Sequence, residues 1–264
     1  MSKILLPSGL GEKGYLQRDE EWPRLKNRLG KQRILDHALF QNVMAWYREK
    51  FAKNPDDFNF FEAGCGHGND LRAFRAKLFG KGNFLGVDFS EAEIIRGIKF
   101  YGETMEEAQK VFVQGDLFDL KNLLSWDQSE EKFSLLLSID ECMADLIYME
   151  AVLHAFGYGF HDYSIKKYSA QIYLDEVSRI CKNDGRFFGR VNVFGPGICK
   201  DEQFELLRRT ENWRFMPEAE EFIEMLESAG FKLLAKPEIF PHEKAASHPD
   251  RKHVCKLSFL AGKA

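Results

Sequence analysis

Several familiar signatures are missing from this sequence, and each absence removes a class of function. No apolar run approaches the roughly twenty residues that a membrane helix needs, and the opening "MSKILLPSGLGEKG" is too poor in apolar residues for an export signal. No C-x-x-C pair occurs among Cys65, Cys142, Cys181, Cys199 and Cys255. Their odd number and wide spacing fit small buried thiols of a reducing compartment, not a disulfide frame or a zinc site. The expected location is therefore cytoplasmic. A basic surplus is missing too: 37 Lys and Arg stand against 41 Asp and Glu, a net charge of −4. That argues against nucleic-acid binding by bulk electrostatics. His242, His248 and His253 lack the rhythm of a ligand set, so no metal is expected. Internal repeats and low-complexity stretches are absent.

What is present is an alternation of apolar runs with amphipathic segments. The length, 264 residues, suits one large domain or one domain with an appendage. After a Gly-, Lys- and Arg-rich start, Ile34, Leu35, Ala38, Leu39, Val43 and Trp46 recur at helical spacing and predict a helix over 32–52. "FNFFEAG" reads as a strand running into glycines. "NDLRAFRAKLFG" reads as a helix with Asn69 or Asp70 as its N-cap and Gly80 as its stop. "NFLGVDF" (83–89) is strand-like, and Ser90-x-x-Glu93 is a capping box opening the next helix. "KVFVQGD" (110–116) is a third strand. The fourth is either "KFSLLLSID" (132–140) or "ADLIYMEAVL" (144–153). The first is apolar, but Asp127-x-x-Glu130 is a capping box and a helix reaching about Cys142 would fit; the second is favoured, because only it ends in the pattern taken up below.

Farther on, "YSAQIYLDEVSRICK" (168–182) reads as a helix, turned by Asn183-Asp184-Gly185 into the strand "RFFGRVNVF". Pro217 suits a first helical position, and "EAEEFIEMLESAG" stops at Gly230. "FKLLAKPEIF" and "HVCKLSFLAG" close the chain as two strands. The alternation implies a doubly wound α/β fold with a mainly parallel sheet.

One stretch carries chemistry. In "FFEAGCGHGND" a strand feeds a helix through Gly64, Gly66 and Gly68, with Cys65 and His67 between them. Such a turn sets backbone N–H groups at the sheet's carboxyl edge, where a nucleotide-like ligand docks. A β-carbon there would hold the ligand off or forbid the required φ. The dinucleotide fingerprint G-x-G-x-x-G is not met, because the sixth position from Gly64 is Asn69. The pattern is E-x-G-x-G-x-G, with Glu62 before the loop. A pyrophosphate wants a loop free of carboxylate, whereas a ligand with an amino group and a sulfonium centre tolerates one.

Here the sequence resembles the class I S-adenosylmethionine-dependent methyltransferases, over roughly residues 58–264. Glu62–Gly68 matches that family's first motif. Asp88, with Phe89 behind it, matches the acid that holds the ribose hydroxyls. Asp116 matches the acid beside the adenine amine, with Leu117 and Phe118 suited to flank the ring. "DLIYMEAVLH" looks like the fourth motif. The resemblance implies a Rossmann-like, seven-stranded, mainly parallel sheet with helices on both faces and an antiparallel C-terminal strand. It also implies S-adenosyl-L-methionine as cofactor and S-adenosyl-L-homocysteine as product. The cofactor contacts it implies are Glu62, Gly64, Cys65, Gly66, Gly68, Asp88, Phe89, Asp116 and Leu117, with Tyr15 reaching in from a helical N-terminal cap (1–57) that lids residues 58–264. Substrate insertions are expected at about 155–168 and 195–214.

His154 or Glu150 is the candidate for positioning or deprotonating the acceptor, beyond the fourth motif. A dedicated base is optional, because methyl transfer to N or O needs mainly proximity and alignment. His67 reads as a solvent-facing or helix-end residue. Phe156, Phe160, Phe194 and Phe215 fall where a rim for an apolar or aromatic small molecule would lie. A peptide or protein acceptor, a non-catalytic cofactor-binding module and a nucleotide-dependent oxidoreductase stand as rival readings. The oligomeric state is not readable.

Overall fold

The computed structural model describes residues 30–150, 152, 163–199, 202–203, 216–242 and 253–264. Its strands, in chain order, are β1 (Asn59–Ala63), β2 (Asn83–Asp88), β3 (Phe112–Gln114), β4 (Leu123–Asp127), β5 (Lys132–Leu137), β6 (Ala144–Glu150), β7 (Cys181–Phe194), β8 (Phe231–Leu233), β9 (Glu238–Pro241) and β10 (Val254–Lys263). The α-helices are α1 (Phe40–Phe51), α2 (Asn69–Lys77), α3 (Glu91–Tyr101), α4 (Met105–Ala108), α5 (Tyr163–Ile180) and α6 (Ala219–Ser228).

The strands form one ten-stranded sheet in the order β5-β4-β3-β2-β1-β6-β7-β10-β8, with β9 also on β10. From β3 to β7 the neighbours run parallel, and β10 is antiparallel to both β7 and β8. This is the expected doubly wound sheet, with three more strands: the hairpin β4–β5 on one edge and β9 near the other. Helices cover both faces. Phe61, Ile147, Phe187 and Val191 pack against α5 and α6 through Tyr173, Leu174, Val177, Phe222 and Met225. Phe60, Phe84, Leu146, Tyr148 and Phe188 pack against α1, α2 and α3.

Four local expectations are corrected, three of them by a side chain that competes with regular structure. Residues 30–39 are turns, and the helix begins only at Phe40. Asp70 Oδ1 takes the amides of Arg33 and Ile34 (2.8 Å for Ile34), and His37 Nδ1 accepts from Leu39 N at 3.1 Å, so these donors are lost to a helix. Asp70 is therefore no N-cap. Gly68 occupies that position, and Glu62 Oε2 takes the Leu71 amide from outside the helix at 2.9 Å.

Residues 132–140 are not helical. Asp127 accepts from Ser129 N at 2.8 Å and from Ser134 Oγ at 3.3 Å, and Glu131 adopts φ +51°, which closes the hairpin β4–β5. The central fourth strand is β6, as favoured. Pro217 precedes the N-cap, which is Glu218. Two smaller differences concern the strands. Asn183–Gly185 sit inside β7 as an irregularity where the register slips from Ala144↔Cys181 to Leu146↔Arg186. "FKLLAKPEIF" splits into β8 and β9.

At the amino edge of the sheet, Asp145 is buried. It accepts from Asn59 N (3.0 Å), Lys182 Nζ (2.7 Å) and Lys50 Nζ (3.4 Å), which ties α1 to the sheet.

Candidate active site

The turn after β1 is held from three sides. Gly64 N and Cys65 N both donate to Val87 O, at 2.8 and 3.0 Å, stapling the end of β1 to β2. Gly66 N donates to Asp88 Oδ2 at 2.7 Å, and Gly68 N to Cys65 O at 2.8 Å. Gly64, Gly66 and Gly68 have φ of +68°, +51° and +66°, the left-handed region that side chains disfavour. Two of them differ in a telling way. A β-carbon on Gly68 would strike the Phe112 ring and the Arg72 guanidinium, whereas one on Gly66 would meet nothing within 4 Å among the described residues. Gly68 is thus required by packing, and among the described residues Gly66 has open space beside it at the sheet's carboxyl edge.

Three carboxyl groups surround the turn. Asp88, at the tip of β2, accepts from Ser90 N at 2.9 Å through Oδ1 as well as from Gly66 N. Burial pushes its pKa up to about 6. The two amide donors oppose that rise, nearby Glu93 adds to it and His67 counters it. Glu62 is fully enclosed; burial and then nearby Asp70 hold its pKa well above the usual range, against the Leu71 amide. Asp116 follows β3 and accepts from Phe118 N at 3.0 Å, and burial raises its pKa also. Gly115 N bonds Asp88 O at 3.0 Å, which sets the tips of β2 and β3 side by side. Gln114 Nε2 donates to Phe89 O at 3.2 Å.

The site residues between these acids serve packing as well. Leu117 is buried in the core, with Phe118 packed against it. The Cys65 side chain is buried, and a β-carbon on Gly86 would lie 3.0 Å from its sulfur. His67 is not solvent-facing. It is buried, with its Nε2 2.7 Å from Glu93 Oε2 in the first turn of α3 but without hydrogen-bond geometry.

Glu150 ends β6, and its side chain is 5 % exposed. Tyr148 Oη donates to its Oε2 at 3.1 Å, and Arg190 Nε to the same oxygen at 2.8 Å. Arg33 stands 3.6 Å and Lys256 3.9 Å from Oε1. Arg190 also donates to Arg33 O at 3.0 Å, and His37 Nε2 bonds Gly189 O at 2.8 Å, so residues 30–39 lie as a strap across this end of the sheet. His154, Tyr15, Phe156, Phe160 and Phe215 lie outside the described residues. Phe194 is buried with Ile198 and Met216.

Sequence reasoning did not single out Arg33, His37, Arg190 or Lys256, and took Asp70 only as a candidate helix cap. The available signal was a cation in the middle of an otherwise apolar strand, as Arg190 is in "RFFGRVNVF".

A family model described as "Methyltransferase domain" matches residues 18–236. The chain belongs to that methyltransferase family. No curated protein matches it. Among solved structures, this methyltransferase is similar to a putative sarcosine dimethylglycine methyltransferase from Galdieria sulphuraria. Identity is 11 %, the TM-score is 0.52, and 84 % of this chain and 85 % of that one are covered. It is also similar to geranyl diphosphate C-methyltransferase from Streptomyces coelicolor A3(2), at 13 % identity and TM-score 0.53 over 85 % and 80 % of the two chains. That structure was solved with Mg2+, geranyl diphosphate and S-adenosyl-L-homocysteine. A third likeness is to a putative methyltransferase bound to the Haloferax volcanii Trm112 activator, at 18 % identity and TM-score 0.52 over 84 % and 92 %. At these identities the likeness is one of fold.

Proposed function

We propose that this methyltransferase binds S-adenosylmethionine in the turn at Gly64–Gly68 and transfers its methyl group to N or O of a small molecule. The observation that carries the reading is the pairing of an open backbone at Gly66 with a carboxylate, Asp88, bonded to that same residue's amide. The donor supplies an activated methyl: the acceptor's lone pair forms the new bond to carbon, the C–S bond breaks toward sulfur, and the acceptor's proton leaves.

The chain's own residues do the holding. Each Asp88 oxygen spends one lone-pair direction on an amide and keeps another for a ribose hydroxyl. Asp116, beside it on the tip of β3, suits the base's amine. Glu62 shapes the turn by capping α2. Glu150, held by cations, is a hydrogen-bond acceptor for orienting a substrate. His154, just beyond β6, shares the orienting role, and Tyr15 belongs to the lid.

The strap over the acceptor side favours a small molecule over a protein segment, because it covers surface that a long chain would need. A cytoplasmic setting keeps the five cysteines, none of them disulfide-bonded, reduced. Among the described residues no helix is long and apolar enough to cross a membrane.

Thermal shift with S-adenosylhomocysteine and with NAD tests the reading, since stabilisation by NAD alone would end it. Radiolabelled methyl transfer into small-molecule and peptide pools then separates the acceptor classes. Label in the small-molecule pool is expected.

A further inference from the structure

β5 closes one edge of the sheet, and among the described residues its only strand neighbour is β4. It carries three consecutive leucines at the surface: Leu135, Leu136 and Leu137 are 50 %, 72 % and 36 % exposed. In the β4–β5 register Leu136 stands opposite Leu124, while Leu135 and Leu137 stand opposite Ser125 and Leu123. Neighbouring side chains on a strand point to opposite faces, so β5 is apolar on both. That is the composition of a strand enclosed by neighbours, not of an edge. The other end of the sheet is built differently. β8 and β9 are three and four residues long, with exposed Lys232 in the middle of one and Glu238 and Pro241 at the ends of the other. Short length, charge and proline are the usual guards of an edge.

The backbone of β5 is turned to suit a further strand. Leu135 O accepts from Ser125 Oγ on β4 at 3.2 Å, and Ile139 N donates to Leu120 O, before β4, at 3.0 Å. Peptide groups alternate along a strand, so residues 135, 137 and 139 direct theirs at β4 and Leu136 directs its N–H and C=O outward.

The stretch is also symmetric about Leu136. Outward from it in "KFSLLLSID" come Leu135 and Leu137, Ser134 and Ser138, Phe133 and Ile139, then Lys132 and Asp140. Two copies paired antiparallel about an axis at Leu136 set each residue against its counterpart. Leucine meets leucine, serine meets serine, and exposed Lys132 comes within reach of exposed Asp140. Phe133 and Ile139 stay buried in their own molecule. Lys132 lies 2.7 Å from Glu130 and opposite Asp127 in the hairpin, but Lys132 and Glu130 are both more than half exposed, so that pair yields readily. Glu131 and Glu141, the next counterparts, lie in turns where the chain leaves the strand.

We propose that β5 is a self-association edge, where a second copy of this chain adds its own β5 antiparallel and continues the sheet through both molecules. Leu136 N donates to Leu136 O of the second copy and accepts the reciprocal bond, and the leucines of each copy cover those of the other. One paired strand is a small contact, so monomer and dimer exchange with concentration. The proposal does not depend on the methyltransferase reading.

Sedimentation velocity on the full chain tests it, over two decades of concentration up to about 100 μM. Wild type should pass from 30.6 kDa toward twice that mass. Leu136→Lys sets two ammonium groups face to face and should weaken association tenfold or more. Its side chain is mostly exposed, so its melting temperature should match wild type by circular dichroism. Lys132→Asp and Asp140→Lys should each weaken the dimer about threefold, and the double variant Lys132→Asp/Asp140→Lys should restore it, which a merely sticky surface would not do. A wild type monomeric throughout would overturn the proposal and leave the edge to a different protein or to another segment of this chain. A dimer indifferent to Leu136→Lys, or a charge exchange that restores nothing, would overturn it as well.

Discussion

Asp88 holds the glycine turn and, in the proposed function, the cofactor's sugar, and its pKa near 6 makes the second duty sensitive to acid. It is ionised above that value and loses its charge below it. S-adenosylhomocysteine affinity measured by calorimetry should therefore fall as pH drops from 7.5 to 5.5. Asp88→Asn should cost tenfold or more at pH 7.5, about 1.4 kcal/mol, and flatten the pH profile.

His37 shows the opposite electrostatics. Burial lowers its pKa to about 4 from the ordinary 6.5, and its neutral ring both accepts from Leu39 N and bonds Gly189 O. The unfolded chain takes up the proton near 6.5 and the folded chain only near 4. The stability His37 contributes is thus complete above 6.5 and is lost as pH falls through that window, on the order of 3 kcal/mol. Urea titrations at pH 7 and pH 4 should show the gap between wild type and His37→Gln narrowing by about that amount.

At the scale of one loop, Gly66 and Gly68 make a matched pair. Gly68→Ala drives a methyl into Phe112 and Arg72, and should lower the melting temperature sharply. Gly66→Ala meets no atom of the described residues and carries the cost of its positive φ, about 1–2 kcal/mol. It should fold, with a melting temperature a few degrees lower, yet lose S-adenosylhomocysteine binding by tenfold or more. Circular dichroism and calorimetry on the two variants separate packing from ligand approach.

The same loop marks the limit of what was legible beforehand. E-x-G-x-G-x-G could be read because glycine spacing reports backbone conformation directly, and Asp88 and Asp116 because each ends a short apolar strand. The row Glu150–Arg190–Ser258 was not legible, since its members lie on three strands and meet only through sheet register. The hairpin β4–β5 was obscured for another reason. Asp127-x-x-Glu130 serves a helix cap and a tight turn equally well, and Ser129 and Ser134 decide between them.

For the whole molecule, the N-terminal region is core as well as cover. α1 buries Phe40, Val43, Met44, Tyr47 and Phe51 against Phe58, Phe74 and Phe84. At roughly 1.5–3 kcal/mol for each large side chain, those five contribute about 10 kcal/mol, comparable to the 5–15 kcal/mol that holds a typical domain together. A chain beginning at residue 58 should therefore lack a cooperative thermal transition and bind a hydrophobic dye, as read by calorimetry and fluorescence. A cooperative transition near the wild-type temperature would show that the helix is dispensable.

The strap at residues 30–39 is bonded to Asp70 on α2, to Gly189 on β7 and to the Glu150–Arg190 pair, and it buries Ile34, His37 and Leu39, with the His37 ring edge-on to Tyr148 and Phe188. None of these contacts involves Asp88 or Asp116. An evolving lineage can therefore vary the less buried positions of this segment and retune which molecules are alkylated, while the grip on the nucleoside passes unchanged from ancestor to descendant.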